Sequence, residues 1–146
     1  MSRIGCHVSI AGSIVNAPQR AAELGCEVFQ MFTRSPQGGP APKIDAKASG
    51  EFKTAMKEYG QKACYIHTPY YINFASANSF IRASAARVCR EELERGSLIG
   101  ANYIMTHLGS SKDFTRPEAL TMVSEGVGDV LKGYKGTTQF LVEISA

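Results

Sequence analysis

The feature that most limits how this chain can fold is a set of short, almost continuous apolar runs. Each run is followed by a residue that can bind a metal. The run Ala63–Ile66 is followed directly by His67 and then, after one residue, by the helix-breaking Pro69. An apolar run bounded by turn residues is typical of a parallel strand that is covered on both faces. The same arrangement recurs twice, with Tyr103–Thr106 before His107 and with Phe140–Val142 before Glu143. The sequence therefore predicts three buried strands that each present a possible metal ligand at the carboxyl end.

Helical segments separate the apolar runs along the whole chain. Helical spacing of apolar residues and glycine stops predict four helices, at Ser13–Leu24, Lys47–Tyr59, Ser79–Ile99 and from a capping box at Thr115 to Leu131. Five strands are predicted at Ile4–Ser9, Val28–Thr33, Cys64–Ile66, Tyr103–His107 and Gln139–Ile144. This alternation predicts an α/β fold of parallel strands joined by right-handed crossovers. It does not choose between a barrel and an open sheet.

The third predicted helix carries a mixed pattern of apolar and charged residues. Its spacing predicts that Phe80 and Ile81 lie on the buried side, and that Arg87, Glu91 and Arg95 lie on the solvent side.

Composition favours one domain of ordinary size. The chain has 146 residues, of which 44% are hydrophobic, so it is expected to bury a single core over residues 1–146. The net charge of +3 is too small to indicate nucleic-acid binding by itself. No apolar run approaches the roughly 20 residues that a membrane helix needs, and no secretory signal is visible. A soluble protein of the cytoplasm, without membrane partners, is expected.

The four cysteines support a reducing environment. They are widely spaced, with no Cys-x-x-Cys pair, and are expected to be free thiols. Cys6 and Cys64 fall in predicted strands, where a thiol packs as a small hydrophobic residue.

All three histidines of the chain lie at or near the carboxyl ends of predicted strands, which suggests a shared site. Because the carboxyl ends of parallel strands meet at one edge, His67, His107 and Glu143 are expected to converge, with His7 on the same rim. Two imidazoles and a carboxylate form a ligand set that suits zinc. Any single strand-end histidine is more often a hydrogen-bonded structural residue, and for His7 the two interpretations are balanced.

Three residues near these strand ends are candidates for contact with a ligand. Tyr70 follows His67 and has the ring needed to stack on a base or sugar, or to cover the rim. Arg34 begins a loop rich in glycine and proline and is predicted to be exposed, and Ser110 follows His107. The ordinary alternatives are a solvated charge for Arg34 and a turn residue for Ser110.

The motifs that contain these residues resemble one known family in order and spacing. The similar stretches are Ile4–Ser9, Ala11-Gly12, Phe32-Thr33, Ile66–Asn73, Thr106–Ser110 and Val142-Glu143. They resemble the amino-terminal half of endonuclease IV, the zinc-dependent apurinic/apyrimidinic endonuclease family with a xylose-isomerase-like TIM barrel. The resemblance implies a partial TIM barrel of five parallel strands alternating with four helices, a single incomplete domain over residues 1–146.

The resemblance also implies an activity and roles for individual residues. The family's full domain holds up to three zinc ions and hydrolyses the phosphodiester 5′ to an abasic site in DNA, a step of base excision repair. His67 and His107 match two ligands of one zinc, and Glu143 matches the catalytic carboxylate that bridges it to a second zinc. His7 matches a catalytic rim histidine near the phosphate. Tyr70, with Arg34 and Ser110, is expected to contact DNA.

The chain departs from the family pattern in several ways. The loop 35–39, Ser-Pro-Gln-Gly-Gly, has neither the arginine nor the tryptophan that the family places there. The match ends before the family's remaining zinc ligands, so only one partial zinc site and the bridging ligand are expected. Five strands do not close an eight-stranded barrel, which predicts open edges at the first and last strands, a fragment inactive alone, and room for a second chain.

Two other functions stay open on the sequence alone. One is a sugar isomerase or epimerase of the xylose-isomerase-like barrels, in which a strand-end glutamate and histidine hold a divalent metal. The other is a non-catalytic module that binds DNA or a partner protein through the open edge of the sheet.

Overall fold

A computed structural model describes residues 2–144 and has the predicted alternation of strands and helices. The strands are β1 (Gly5–His7), β2 (Val28–Met31), β3 (Ala63–His67), β4 (Tyr103–Thr106) and β5 (Gln139–Val142). The helices are α1 (Ala17–Glu23), α2 (Ala46–Glu58), α3 (Ser79–Ile99) and α4 (Arg116–Leu131), and a 3₁₀ turn over Ile14–Asn16 precedes α1.

The five strands form one parallel sheet in the order β1-β2-β3-β4-β5. Each strand pairs with its predecessor in sequence, as successive βα units of a barrel do. Within residues 2–144 the sheet does not close, because β1 and β5 lie at its two ends. The α/β fold is therefore a partial barrel, as predicted.

The core lies between the sheet and the helices. Alternate strand residues face the helices, where Met31, Ile66 and Ile104 are completely buried. Phe52 of α2 and Leu93 of α3 pack against them and are also completely buried. The opposite residues of the strands line the concave inner face, where the rings of Tyr65 and Tyr103 stack with centroids 5.0 Å apart.

Side-chain caps fix where the helices begin. Asp45 accepts a hydrogen bond from the Ala48 amide at 2.8 Å and starts α2. The capping box predicted for α4 is present, with the Thr115 amide donating to Glu118 at 2.9 Å. The predicted start of the first helix at Ser13 is wrong. Ser13 caps only the 3₁₀ turn, and α1 begins four residues later with a proline in its first turn.

Two burial predictions fail at the margins of the fold. Cys64 is completely buried, but Cys6 is exposed because β1 is an edge strand that no described element covers. Phe80 and Ile81 are exposed, because burial on α3 begins only at Ala85. None of the described helices is long and apolar enough to cross a membrane.

Two glycines of α4 face different surroundings, which gives a matched pair of substitutions. An alanine Cβ at Gly126 would stand 2.5 Å from Cδ1 of the buried Phe74 ring, whereas one at Gly128 would meet no atom within 4 Å. We expect Gly128→Ala to raise the free energy of unfolding by about 1 kcal/mol through helix propensity. Gly126→Ala should lower it by about 1 to 2 kcal/mol, since overpacking outweighs the same gain.

Urea unfolding of the two variants checks this expectation, with the wild type as reference. Equal stabilisation by both alanines would contradict the close packing of α4 on Phe74.

Candidate metal centre

Backbone pairing with β4 continues one residue past the ends of β3 and β5 and aligns the candidate ligands. The Thr68 amide, next to His67, donates to the Met105 carbonyl at 2.9 Å. The Glu143 amide donates to the Thr106 carbonyl, also at 2.9 Å. These bonds hold β3, β4 and β5 in register up to the rim, so that residues 67, 107 and 143 end at the same edge of the sheet.

Two threonines reinforce this edge from the buried side. The Thr68 hydroxyl donates to the Thr106 hydroxyl at 2.7 Å, and the Thr106 hydroxyl donates to the His107 carbonyl at 2.9 Å. Both threonines are completely buried. Their hydrogen bonds tie the segments that carry His67 and His107 to each other.

The three predicted ligands come together as the sequence indicated. Ligand atoms of His67, His107 and Glu143 all lie within 4.8 Å of one another. Glu143 Oε2 is 3.4 Å from His67 Nε2 and 3.7 Å from His107 Nε2. The two imidazole rings have their centroids 5.2 Å apart. Among the described residues this is the one group of three or more possible donors that can share a metal ion.

The hydrogen bonds of His67 turn its free nitrogen toward the carboxylate. His67 Nδ1 lies 2.5 Å from the Thr68 carbonyl oxygen, an acceptor only, so we assign the proton to Nδ1. In the neutral ring, Nε2 then presents a lone pair to Glu143 Oε2. That oxygen is buried and has no hydrogen-bond partner among the described residues, although the Glu143 side chain as a whole is about a third exposed.

A divalent cation held by the trio would satisfy both of these acceptors. Donors on one tetrahedral zinc stand roughly 3.4 Å apart, since each lies about 2.0 to 2.2 Å from the metal. The observed separations of 3.4 and 3.7 Å match that spacing. Two imidazoles and one carboxylate also match the ligand set of catalytic zinc sites. The residues therefore fit a zinc ion.

His7 lies on the same rim but outside the trio. Its Nδ1 is 2.8 Å from Gln30 Oε1, and its ring packs on Phe32 with centroids 4.5 Å apart. Phe32 in turn contacts His67 and Tyr70 edge-on, at 5.4 and 5.3 Å between centroids. A continuous row of rings therefore runs from His7 to the candidate ligands.

Two of the candidates for DNA contact, Tyr70 and Ser110, are exposed. Tyr70 is 65% exposed and stands edge-on to His67, with centroids 5.9 Å apart. Ser110 is exposed in the loop after His107, and its amide donates to Asn73 Oδ1 at 3.3 Å.

The prediction that Arg34 is exposed is wrong. Only 5% of Arg34 is accessible, because its guanidinium folds onto α3. Its Nε donates to Glu92 Oε1 at 2.5 Å and its Nη2 donates to Glu91 Oε2 at 2.8 Å. Burial alone would lower the pKa of Arg34, but the charges of Glu92 and Glu91 and the hydrogen bonds to them raise it above its usual value.

Glu92 and Arg95 extend this contact into a buried polar cluster. Glu92 is completely buried and accepts a hydrogen bond from the Thr33 hydroxyl at 2.5 Å. Arg95 donates to the Thr33 carbonyl and to the Pro42 carbonyl, each at 2.7 Å. The cluster therefore fixes both ends of the loop between β2 and α2.

Sequence reasoning missed the residues that support the site. Phe32 stood out only as part of a motif. Glu92 looks in the sequence like an ordinary charged residue on the solvent-exposed side of a helix. Asn73 accepts hydrogen bonds from the amides of Ala75 and Ser110, and so joins the loops that follow β3 and β4. Like Phe32, Asn73 stood out only as part of a motif, at the end of the stretch Ile66–Asn73.

The fold and the donor set together define a parallel α/β partial barrel with a candidate divalent-metal site at the carboxyl ends of its strands. A family model described as xylose isomerase-like TIM barrel matches residues 18–143, and the chain belongs to this family.

Within this family, the chain is similar to proteins named endonuclease IV or probable endonuclease 4. The chain is 41% identical over 109 residues to a probable endonuclease 4 of Methanoculleus marisnigri, a match that covers 75% of this chain and 39% of the relative. The crystal structure of endonuclease IV from Thermus thermophilus superposes with a TM-score of 0.86 and 28% identity, over 99% of this chain and 52% of that one.

A xylose isomerase domain protein from Planctomyces limnophilus matches with a TM-score of 0.71 and 16% identity, over 98% of this chain and 54% of that one, which supports the fold alone. The chain spans about half the length of the proteins it matches.

The ion pair between Arg34 and Glu91 predicts a pH-dependent contribution to stability. Partial burial would raise the pKa of Glu91, but hydrogen bonds from Arg34 and Arg87 hold it below its ordinary value of 4.5. The contribution is therefore fully present above about pH 4.5 and is lost as the pH falls through the lowered pKa. Glu91→Gln should destabilise the protein at pH 7 by less than about 1 kcal/mol, since the carboxylate is partly exposed.

The check is urea unfolding at about pH 7 and about pH 3, where the difference from the wild type should shrink. Glu94→Gln on the same helix is the control, because Glu94 pairs only with the half-exposed Arg90 among the described ion pairs. A Glu91→Gln effect of equal size at both pH values would contradict the assignment.

Proposed function

We propose that this chain provides a zinc-binding part of an apurinic/apyrimidinic endonuclease, which hydrolyses the phosphodiester 5′ to an abasic site in DNA. The observation that carries the proposal is the convergence of His67, His107 and Glu143 around a buried carboxylate oxygen without a hydrogen-bond partner among the described residues. The relatives named probable endonuclease 4 and endonuclease IV support it.

The residues of the site have separable tasks. A zinc ion held by the trio would supply a Lewis acid for charge that develops on a phosphodiester. Thr68 holds His67 in the tautomer that presents Nε2 to the site. Glu143 brings the negative charge that makes the pocket selective for a cation. His7, positioned by Gln30 and Phe32, lies on the same rim and is available to a phosphate group.

The DNA would approach over the exposed side of the ring row. Tyr70 offers a ring that is accessible to a base or a deoxyribose. Ser110 offers a hydroxyl in the loop beside His107, suited to a phosphate oxygen. Arg34 takes an indirect part, because its guanidinium is bound to Glu91 and Glu92 and holds the loop that follows β2.

The proposed site is a part of a larger one. Because the chain spans about half the length of its relatives, we propose that a further segment or a partner chain supplies the remaining donors beside the open edges of the sheet. With three donors, residues 2–144 are expected to hold at most one zinc. We therefore expect the isolated chain to be nearly inactive.

Zinc binding is the direct test of the trio, and the three histidines supply a matched control. We expect the isolated chain to bind at most one zinc ion, measured by equilibrium dialysis with elemental analysis. His107→Ala should lower the affinity at least about a hundredfold, because it removes a direct ligand. The His107 side chain is 40% exposed, so its loss disturbs the core less than the loss of His67.

His7→Ala should leave the zinc affinity unchanged, since His7 contacts Gln30 and Phe32 and not the trio. Binding of three zinc ions by the isolated chain, or equal affinities of the two variants, would refute the proposed site.

Strand cleavage tests the proposed reaction. We expect the isolated chain to nick a duplex with one abasic site at a trace rate, and to nick it faster when the part of the Methanoculleus marisnigri relative that this chain does not match is added. The nick should lie 5′ to the abasic sugar and should be lost in Glu143→Gln. Epimerisation of a ketose without any DNA cleavage would favour the sugar isomerase instead.

A further inference from the structure

Two thiols face each other on the opposite side of β1 from the proposed metal site. Cys6 lies in the middle of β1, and Cys26 lies in the turn between α1 and β2. The Cys26 thiol donates to Cys6 Sγ, with the two sulfurs 3.6 Å apart. Both cysteines are free, and neither belongs to the zinc ligand set.

The other two cysteines do not share these properties. Cys64 and Cys89 are buried in the core, where burial raises the pKa of both thiols, to about 12 for Cys89. They are therefore protonated and inaccessible at neutral pH. Cys6 is exposed and open to a reagent in solution. Only one pair of thiols among the described residues thus combines mutual contact with access.

We propose that Cys6 and Cys26 form a reversible disulfide, a redox modification site that covalently joins the edge strand β1 to the turn that precedes β2. A disulfide bond is about 2.05 Å long, so the sulfurs have to approach by roughly 1.6 Å. The position of β1 at the edge of the described sheet makes this shift feasible, because on one side β1 has no neighbouring strand that would have to move with it.

The reaction requires a low-molecular-weight disulfide as the oxidant. The Cys6 thiolate attacks one sulfur of the reagent, which breaks the reagent's S–S bond and expels one thiolate. The Cys26 thiolate then attacks the Cys6 sulfur of the mixed disulfide and expels the second. The protein loses two electrons and two protons, and the reagent is reduced to two thiols. Cys6 reacts first because it is the more exposed of the two.

The pH dependence of this step has a predictable sign. Contact with the Cys26 thiol raises the pKa of Cys6 above its ordinary value of 9.0. The thiolate of Cys6 is then a minor species at neutral pH. As long as the pH is below the pKa, each increase of one pH unit raises the thiolate fraction about tenfold. Disulfide formation should accelerate accordingly between neutral and mildly alkaline pH.

The disulfide would restrain the strand that presents His7. Within residues 2–144 β1 pairs only with β2, and it is followed by a bond from the Val8 amide to the Gln30 carbonyl at 2.8 Å. An edge strand opens locally more easily than a central one. A covalent link at Cys6 limits that opening, and so holds His7 against Gln30 and Phe32.

Peptide mapping of the wild-type protein tests the proposal without relying on a variant that must fold. The protein is incubated with oxidised glutathione, free thiols are blocked with iodoacetamide, and a digest is analysed by mass spectrometry. We expect a linked Cys6–Cys26 peptide, and unmodified Cys64 and Cys89 until the protein is unfolded. The link should reverse fully with dithiothreitol.

Several outcomes would overturn the proposal. They are stable glutathione adducts on Cys6 without a link, a disulfide between two copies of the chain through Cys6, and alkylation of Cys64 or Cys89 at the same rate as Cys6. Cys26→Ser is the control variant, and it should retain a glutathione adduct at Cys6 because the second attack is lost.

Hydrogen exchange tests the effect on the strand. In the oxidised protein the Val8 amide should exchange about tenfold more slowly than in the reduced protein, because the cross-link restricts opening. The Ile104 amide of the inner strand β4 should change little. Equal protection of Val8 in both redox states would show that the link does not restrain β1. Because these readouts need no zinc and no DNA, their failure is distinguishable from failure of the proposed function.

Discussion

The parallel backbone ladder of β3, β4 and β5 is the interaction on which the site depends. In a parallel sheet all strands end on the same side, so pairing register decides which side chains become neighbours. Here the ladder continues past the strands, through the Thr68 amide to Met105 and the Glu143 amide to Thr106. A shift of one residue in either pair would turn His67 or Glu143 to the other face of the sheet. Two hydrogen bonds at the rim therefore decide that His107 and Glu143 become neighbours, although the two residues are far apart in sequence.

A second constraint comes from the charged side of α3. Glu92, completely buried, accepts hydrogen bonds from Thr33 and Arg34 at the end of β2, and Arg95 reaches Pro42 at the far end of the loop. Burying a carboxylate is costly unless it is paired and hydrogen-bonded, and here several donors meet that condition. The cluster gives a loop rich in glycine and proline two fixed ends. It also anchors the backbone next to Phe32, whose ring contacts both His7 and His67.

How far the sequence predicts this structure depends on the range of the interaction that decides each feature. The capping box at Thr115, the span of α3 and the apolar run of β3 depend on neighbours in sequence, and all three were predictable. The convergence of His67, His107 and Glu143 was predictable because parallel topology alone implies it. The burial of Arg34 was not, because it depends on Glu91 and Glu92, which are far away in sequence. Helical spacing alone placed Arg95 in solvent, and it could not reveal that a loop would cover that face.

The strands that present the three ligands differ in their number of neighbouring strands, and this bears on the structural effect of a bound metal. His67 is buried on the central strand β3, whereas Glu143 follows β5, an edge strand within the described sheet whose terminal Val142 is exposed. Two of the three donors are thus presented by the inner strands of the sheet, and the third by a strand with fewer neighbours. Ligand binding stabilises a protein by favouring the state in which all contacts are made. Zinc bound by the trio would therefore draw its structural effect mainly from ordering β5 against β4, and metal binding would then be coupled to the order of this sheet edge.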